Sequence, residues 1–451
     1  MIAAVLQRAG NEVHIIDAVA EQLNIHRLEK RVASLKPDVI GITANISFAK
    51  KAFLTGKYMR VKNSGSKIIF GGPWPSIDYE YLLKGKAADF VVIGEGENTI
   101  VELVDAIQNR RDMKDIKGIA YIDKGSVIKT EKRPFIEKLD DLPFPAWNLF
   151  PPPKKYFNHT LGKRFYPIAT SRGCPMGCIY CSKMVHGYKL RTRSIENVMA
   201  EIRYLKETFN VDELIFTDDN FNYNVERAER IIDEIIKLGF KLKLNFSHGL
   251  RADKITPRLA VKMKRAGAGE VALGIESGNQ EVVYKIGKNL DLNAVRRAAR
   301  ILKRLGIITG GFFMIGLPFD TIQTIIETKR FALELDLDGT NFFKVLPFPG
   351  TRLFEIIKKR GKFLRDVHDA SNFYNYMTPV FEFDQLPNEI VDLAIKEMTR
   401  SFYMRPSKIL SLLGKIKIKN YKWIINAGFI VISSLFKKQK KSVISKKLCK
   451  K

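Results

Sequence analysis

Short apolar runs rich in β-branched residues recur along this chain. Between them lie stretches in which apolar positions return every three or four residues. In the first 125 residues the strand-like runs fall at 12–17, 38–43, 67–70 and 89–93, with helical patterns such as 19–35 and 99–109 between them. Strands alternating with helices bury both faces of a sheet, so this region reads as a doubly wound, parallel, Rossmann-like α/β domain spanning 1–125. Glycine turns follow two of the strands, at Gly71-Gly72-Pro73 and Gly94-Glu95-Gly96-Glu97. In open sheets of this kind ligands bind outside the carboxyl ends of the strands, which makes these turns a candidate site. Residues 126–160 read as a Pro-rich linker, because Pro143, Pro145 and the Pro151-Pro152-Pro153 run exclude regular helix and central strand. A second series occupies 161–375, with strands expected at 165–169, 213–217, 241–246, 270–275, 307–314 and 339–345. Helical patterns separate them at 194–208, 225–238, 293–305 and 321–335. Six βα units describe a partial (β/α)6 barrel of the TIM type. Residues 376–451 read as a helical C-terminal region with a basic tail.

Charge is placed unevenly. The 451 residues carry 76 Lys and Arg against 48 Asp and Glu, a net +28, and 45% are hydrophobic, which excludes a disordered or collagen-like chain. No acidic residue follows Glu397, whereas the chain from Arg400 to its end holds 15 Lys and Arg. Within that tail, the 14 mostly apolar residues 423–436 are bracketed by Lys422 and Lys437. A membrane-spanning helix needs ~20 apolar residues, so this segment is too short to span. Two readings stay open: a terminal helix packed on the body, or a basic amphipathic segment making peripheral contact with an anionic membrane surface. The N-terminus has no basic segment ahead of a long apolar run, so no signal peptide is expected. With only 4 cysteines, the chain is expected in a reducing, cytoplasmic compartment, peripheral at the membrane if the tail binds there.

Three of those cysteines share one loop, Cys174-Pro-Met-Gly-Cys178-Ile-Tyr180-Cys181, directly after the first strand of the second series. That is the catalytic end of a βα barrel. Cysteines this close in a reducing compartment read as a metal site. Zinc structural sites close with four protein ligands, for which His186 is the local fourth candidate. A 4Fe-4S cluster on three thiolates instead keeps one iron open for a small molecule.

The three-and-two cysteine spacing, with an aromatic before the last cysteine, resembles the signature of the radical S-adenosylmethionine (SAM) superfamily. The resemblance implies that Cys174, Cys178 and Cys181 hold a 4Fe-4S cluster, whose open iron binds SAM. The reduced cluster then cleaves SAM to a 5′-deoxyadenosyl radical, and Tyr180 packs near the adenine. Landmarks expected of that family follow at successive strand ends. Asp218-Asp219-Asn220 would bind the cofactor's amino group, against helix capping as the bland reading. Arg251 offers paired donors to ribose or carboxylate, or forms a surface salt bridge. Glu276-Ser277 resembles a ribose- and methionine-contacting segment. Gly316 and Pro318, in the GFFMIGLP run, would lie beside the adenine.

The N-terminal region resembles the cobalamin-binding domain of the cobalamin-dependent radical SAM class, through AAVLQRAGNEVHIIDA, DVIGITANIS, IIFGGPWPS, VVIGEGE and the LDDLPFPAW connector. Thr43, Asn45, Gly71, Gly72 and Glu95 are then the candidate cobalamin contacts. A short stretch, TRSFYMRP, is similar to the subset with anaerobic porphyrin cyclase and hopanoid-tailoring proteins. Two departures stand out. The chain opens inside a helix at Ala3, without the strand and Pro-rich loop that precede it in the family, so its start is expected to be truncated or its domain degenerate. Loops deprived of that central strand are expected to lose their fixed spacing. No Asp-x-His-x-x-Gly motif occurs, so histidine ligation of cobalt is not expected.

These features imply a radical SAM enzyme performing cobalamin-dependent methyl transfer to an unactivated centre, with radical rearrangement or oxidative cyclisation as the alternative. The chemistry also implies a flavodoxin or ferredoxin-type electron donor and a small-molecule substrate, for which a lipid-like compound is one candidate; the sequence does not reveal which. A zinc-bearing nucleic-acid-binding module is disfavoured, because the basic excess lies in the tail and not around the cysteines. No catalytic acid or base is legible.

Overall fold

The computed structural model describes residues 1–156, 162–367, 379–406 and 408. Segment 423–436 and Cys449 lie outside the described residues. The described chain divides into two compact units, one built mainly from Met1–Pro175 and Cys181–Asn245, the other from Met176–Tyr180, Phe246–Arg365 and residues 379–406.

The first unit opens with α1 (Ile2–Arg8), α2 (Ile25–Leu35), β1 (Val39–Thr43), α3 (Ala49–Lys62), β2 (Lys67–Gly71), α4 (Pro73–Ile77), α5 (Tyr79–Lys84), β3 (Phe90–Val92) and α6 (Glu97–Gln108). Two further strands follow, β4 (Ile119–Asp123) and β5 (Ser126–Lys129). The sheet order is β1-β2-β3-β4-β5. Alternation along β2 explains the two-sided winding. Ile68 and Phe70 join a core with Met59, Trp74, Leu82 and Leu83 on one face, while Ile69 joins Val5, Ile100 and Leu103 on the other.

Two expectations fail here. The sheet is mixed, because β3–β4 and β4–β5 pair antiparallel. The cause is a two-residue turn, Lys124-Gly125, with φ of +47° and +84°, the geometry that closes a hairpin. Residues 12–17 form no strand. Their alternation does sort the side chains, with Val13 and Ile15 packing on Ala3, Ala4 and Ala146 and Ile16 on the opposite core. A strand also requires a hydrogen-bonded neighbour, and in this sheet the neighbour of the edge strand β1 is β2.

The barrel begins with β6 (Phe165–Ile168), a short antiparallel pair β7 (Ser171–Arg172) and β8 (Arg191–Thr192), α7 (Ile195–Phe209), β9 (Glu213–Phe216) and α8 (Val225–Lys237). β6 pairs parallel with β9, and β9 with the first residues of β10 (Lys243–Leu250). The second unit continues with α9 (Pro257–Arg265), β11 (Ala268–Glu276), α10 (Gln280–Lys285), α11 (Leu292–Arg304), β12 (Ile308–Ile315), α12 (Ile322–Glu334) and β13 (Gly339–Lys344). The strand order β6-β9-β10-β11-β12-β13 is that of a partial TIM-type barrel. Barrel helices start where a polar side chain accepts a backbone N–H three residues on: Ser194 from Asn197, Asn224 from Arg227, Thr256 from Leu259, Asp291 from Ala294 and Thr321 from Thr324.

After α13 (Arg352–Arg360), α14 (Asn388–Tyr403) packs on β13, the edge strand of the sheet. The Tyr403 hydroxyl donates to the Thr340 carbonyl at 2.7 Å and accepts from the Thr340 N–H at 2.9 Å. One side chain thus satisfies both backbone groups of an edge residue. Tyr403→Phe is expected to cost about 1–3 kcal/mol, because both groups lose their partner in a buried setting. A urea denaturation midpoint within error of wild type would show that water replaces the hydroxyl.

Candidate active site

In the first unit, five consecutive residues leading into the cysteine loop are each held by a side chain. Asp218, fully buried, accepts from the Thr170 N–H and hydroxyl and from the Ser171 hydroxyl, at 3.0, 2.7 and 2.5 Å. Burial pushes the Asp218 carboxyl up, against the pull of these donors. Arg172 reaches Glu95 and Glu97, at 3.1 and 2.6 Å. The Gly173 N–H donates to Asp219 at 2.8 Å. The Asn220 amide N–H lies 3.7 Å from the Cys174 sulfur. Asp219 also faces His186 Nδ1 at 3.2 Å. Its burial works against ionisation, but His186, the Gly173 N–H and Lys183 together hold the carboxyl below its usual range. His186, the local zinc-ligand candidate, is therefore engaged by a carboxylate. Cys174 is half-buried, and Cys181 is exposed.

In the second unit, Cys178 and Tyr180 are half-buried. The Ile179 N–H donates to the Ile286 carbonyl at 3.0 Å, and the Leu353 N–H to the Ile179 carbonyl at 2.9 Å. Gly287, at φ +72°, lies so close to the Gly177 carbonyl that a Cβ there would collide with it. The Cys178 sulfur is 3.8 Å from the Gly287 carbonyl oxygen. Glu276 ends β11 in the left-handed region, at φ +72°, and accepts from Lys288 Nζ at 2.9 Å. Burial alone would lower the Lys288 ammonium, yet Glu276 and the Cys178 thiol raise it. Arg251 pairs with Asp253 at 2.9 and 3.0 Å and donates to the Lys288 and Asn289 carbonyls at 3.0 and 2.9 Å. Ser277 meets the Thr328 hydroxyl at 3.2 Å. Gly316 and Leu317 donate their N–H groups to Asp320 at 3.0 and 2.9 Å, shaping the turn that carries Pro318. Burial pushes the Asp320 carboxyl up to about 6, although these two N–H groups and Thr324 oppose it.

The loops after β1, β2 and β3 are joined to one another, contrary to the expected loss of spacing. The Ala44 N–H donates to Gly71 at 3.0 Å and the Trp74 N–H to Ala44 at 3.3 Å. The Ser76 hydroxyl donates to Gly72 at 2.8 Å and accepts from the Gly94 N–H at 2.9 Å. Gly72 has φ +106°, and a Cβ there would lie 2.9 Å from the Ala44 carbonyl oxygen. Only glycine lets the two loops pack this closely at that φ. Thr43 and Asn45 are exposed beside it, whereas Glu95 is buried and turned to Arg172, Arg191 and the Ile136 N–H.

The Radical SAM superfamily pattern matches residues 168–332, and that of the B12 binding domain residues 1–104. An uncharacterized methyltransferase of Pyrococcus horikoshii is 32% identical over 411 residues, covering 90% of this chain and 87% of that protein. The chain belongs to the radical SAM superfamily, in the class that carries a B12-binding domain. Anaerobic magnesium-protoporphyrin IX monomethyl ester cyclase of Rubrivivax gelatinosus is 29% identical over 89% of this chain and 72% of its own length. Among solved structures, the radical SAM methyltransferase TsrM from Kitasatospora setae, with cobalamin and a [4Fe-4S] cluster bound, superposes with a TM-score of 0.65. That match is 19% identical and covers 79% of this chain and 71% of TsrM.

Radical SAM enzymes use a 4Fe-4S cluster and SAM, and the B12-binding domain brings cobalamin. The residues present fit these groups. Three free thiols stand at the family spacing, and an amide N–H aims at the Cys174 sulfur, as outer donors do at iron–sulfur ligands. The Asn220 carbonyl oxygen is buried without a hydrogen-bond partner among the described residues. Thr43 and Asn45 are exposed at the carboxyl end of β1, where open sheets of this kind admit a ligand. No three His, Cys, Asp or Glu side chains among the described residues converge as ligands of a single ion. The sequence reading missed Lys288, 12 residues after Glu276, and Arg172, two before Cys174. Only their closeness to singled-out residues could have flagged them. Like other superfamily members, the enzyme requires a reductant and a small-molecule substrate. No helix among the described residues is long and apolar enough to cross a membrane.

Proposed function

We propose that this protein is a cobalamin-dependent radical SAM methyltransferase acting on an unactivated centre of a small molecule. The observation that carries the reading is a cysteine loop pinned at its base, with an amide N–H aimed at the Cys174 sulfur, in a chain that also carries a B12-binding domain. The Pyrococcus horikoshii relative, named a methyltransferase and aligned over 90% of this chain, supports it. Cys174, Cys178 and Cys181 hold the cluster, and Tyr180 lies against the adenine of SAM. Glu276, Ser277 and Lys288, with Asp219 and Asn220, orient the polar groups of SAM. Asp218 acts behind them by fixing the Thr170 N–H and the Ser171 hydroxyl, and Arg251 by fixing the backbone of 288–289. The turn at Gly316 and Pro318 offers backbone groups to the adenine. Thr43, Asn45, Gly71 and Gly72 receive cobalamin. When bound, the cluster supplies the electron that cleaves SAM, and cobalamin supplies the methyl group. A flavodoxin or ferredoxin is the electron donor, since an acidic surface is steered toward a chain of net charge +28. The apolar 423–436 segment and its basic flanks suit a lipid-like substrate presented at a membrane surface.

The test is to incubate reduced protein, reconstituted with iron, sulfide and hydroxocobalamin, with SAM labelled at its methyl group. A methyltransferase yields labelled methylcobalamin and S-adenosylhomocysteine beside 5′-deoxyadenosine. An oxidative cyclase, the reading favoured by the Rubrivivax gelatinosus relative, yields 5′-deoxyadenosine without S-adenosylhomocysteine, the label staying on methionine.

A further inference from the structure

The turn after β3 does something the cofactor chemistry alone does not require. Glu95 is buried, and both its oxygens are taken by guanidinium groups. Arg191 grips it with two parallel bonds, Nη1 to Oε2 at 2.8 Å and Nη2 to Oε1 at 2.9 Å. Arg172 Nη1 reaches Oε1 at 3.1 Å, and the Ile136 N–H reaches Oε2 at 2.8 Å. Glu97, also buried, takes the second nitrogen of Arg172 at 2.6 Å.

The two arginines stand opposite each other. Arg172 and Arg191 are register partners of the antiparallel pair β7–β8, and that pair closes the base of the loop carrying all three clustered cysteines. From the same base, Arg191 Nη2 donates to the His186 carbonyl at 2.9 Å, and its guanidinium lies 4.9 Å over the Phe135 ring. That ring fills the space beside Gly187, whose carbonyl accepts from the Cys174 N–H at 3.4 Å. Bidentate carboxylate–guanidinium pairs fix direction as well as distance. Buried ones are weak evidence for net stability and better evidence for a specified geometry.

We infer that Glu95 and Glu97 are positioning residues for the cysteine loop, acting through Arg172 and Arg191 to fix the hairpin base from which the cluster thiols are presented. This rests on the reading of Cys174, Cys178 and Cys181 as cluster ligands. It assigns Glu95 to the iron–sulfur side of the protein, away from direct contact with cobalamin. Glutamine in place of either glutamate keeps the shape and deletes the charge that holds the guanidinium groups, so the base loosens while the turn keeps its backbone.

The test uses the full chain with Glu95→Gln and, separately, Glu97→Gln, beside wild type. In the apoprotein, the alkylation rate of Cys174 by iodoacetamide, read by mass spectrometry, should rise several-fold in both variants. After anaerobic reconstitution, the electron paramagnetic resonance spectrum of the reduced cluster should shift in its g values, while retained hydroxocobalamin matches wild type. Unchanged alkylation and an unchanged spectrum overturn the inference. So does a more than ~tenfold loss of hydroxocobalamin affinity with the spectrum preserved, which would make Glu95 a cobalamin contact. If Glu95→Gln fails to fold, Glu97→Gln, which releases one nitrogen of Arg172, decides alone. Wild type that takes up no iron would fail the cluster reading, and the apoprotein alkylation rates would still judge the positioning role.

Discussion

Replacing Cys174, Cys178 or Cys181 by Ala is expected to abolish release of 5′-deoxyadenosine from SAM. Wild-type protein, reconstituted without oxygen, should hold about four irons per chain with thiolate-to-iron charge-transfer absorbance. Held by Cys174, Cys178 and Cys181, the cluster would keep one iron for SAM. Without one of these thiolates a second iron would be open to solvent, and SAM would no longer be directed to a single position. The loss should be chemical and not structural. The 170–174 segment is held by Asp218, Glu95, Glu97, Asp219 and Asn220, none of which needs a thiol to stay in place except the weak Asn220 contact. Far-ultraviolet circular dichroism and the denaturation midpoint of each variant should therefore match apo wild type. Cys449→Ala, in the Lys-rich tail, should keep full iron. Stoichiometric zinc and no iron in wild type would defeat this assignment.

The barrel was readable from sequence because its strands are buried apolar runs. All six strands begin within two residues of the apolar run that marks them, β10 two residues late at Lys243 and β11 two residues early at Ala268. β10 continues to Leu250, past the last apolar position of its run, because Ser247, His248 and Gly249 keep strand geometry without strand-like composition. The hairpin β4–β5 was missed for a related reason. Its turn is Lys124-Gly125, and Lys carries little of the turn signal that Asn or Asp would give before Gly. Residues 12–17 show the converse. Period-two alternation sorts Val13 and Ile15 from Ile16, but it says nothing about a neighbouring ladder. The site was legible as far as local motifs reach. CPMGCIYC, the Asp218-Asp219-Asn220 run and Glu276 are contiguous strings at strand ends. Arg172, Arg191 and Lys288 acquire meaning through partners 12 to 96 residues away, and no single-sequence pattern encodes such pairings.

Among those distant pairs, Glu276–Lys288 should produce the largest effect on both stability and SAM binding. Both groups are mostly removed from water, with side-chain exposures of 7% and 14%. Gly274 makes room for the pair, since a Cβ there would lie 2.8 Å from Lys288 Nζ. Arg251 fixes the Lys288 and Asn289 carbonyls from the other side. Lys288→Met leaves a buried carboxylate without its counter-charge, an arrangement that typically costs about 3–5 kcal/mol. Glu276→Gln should cost less, because the ammonium keeps a polar partner and the nearby Cys178 thiol. The double variant Glu276→Gln with Lys288→Met should recover much of the loss seen in Lys288→Met, with a coupling of about 1–3 kcal/mol in the double-mutant cycle. SAM affinity should fall in all three by more than ~tenfold, because a charged donor or acceptor at the ligand is gone. Chemical denaturation with equilibrium dialysis of SAM separates the two effects. Additive single changes with unaltered SAM affinity would make Glu276–Lys288 an ordinary ion pair, and the strained φ of +72° at Glu276 would be left serving the backbone turn alone.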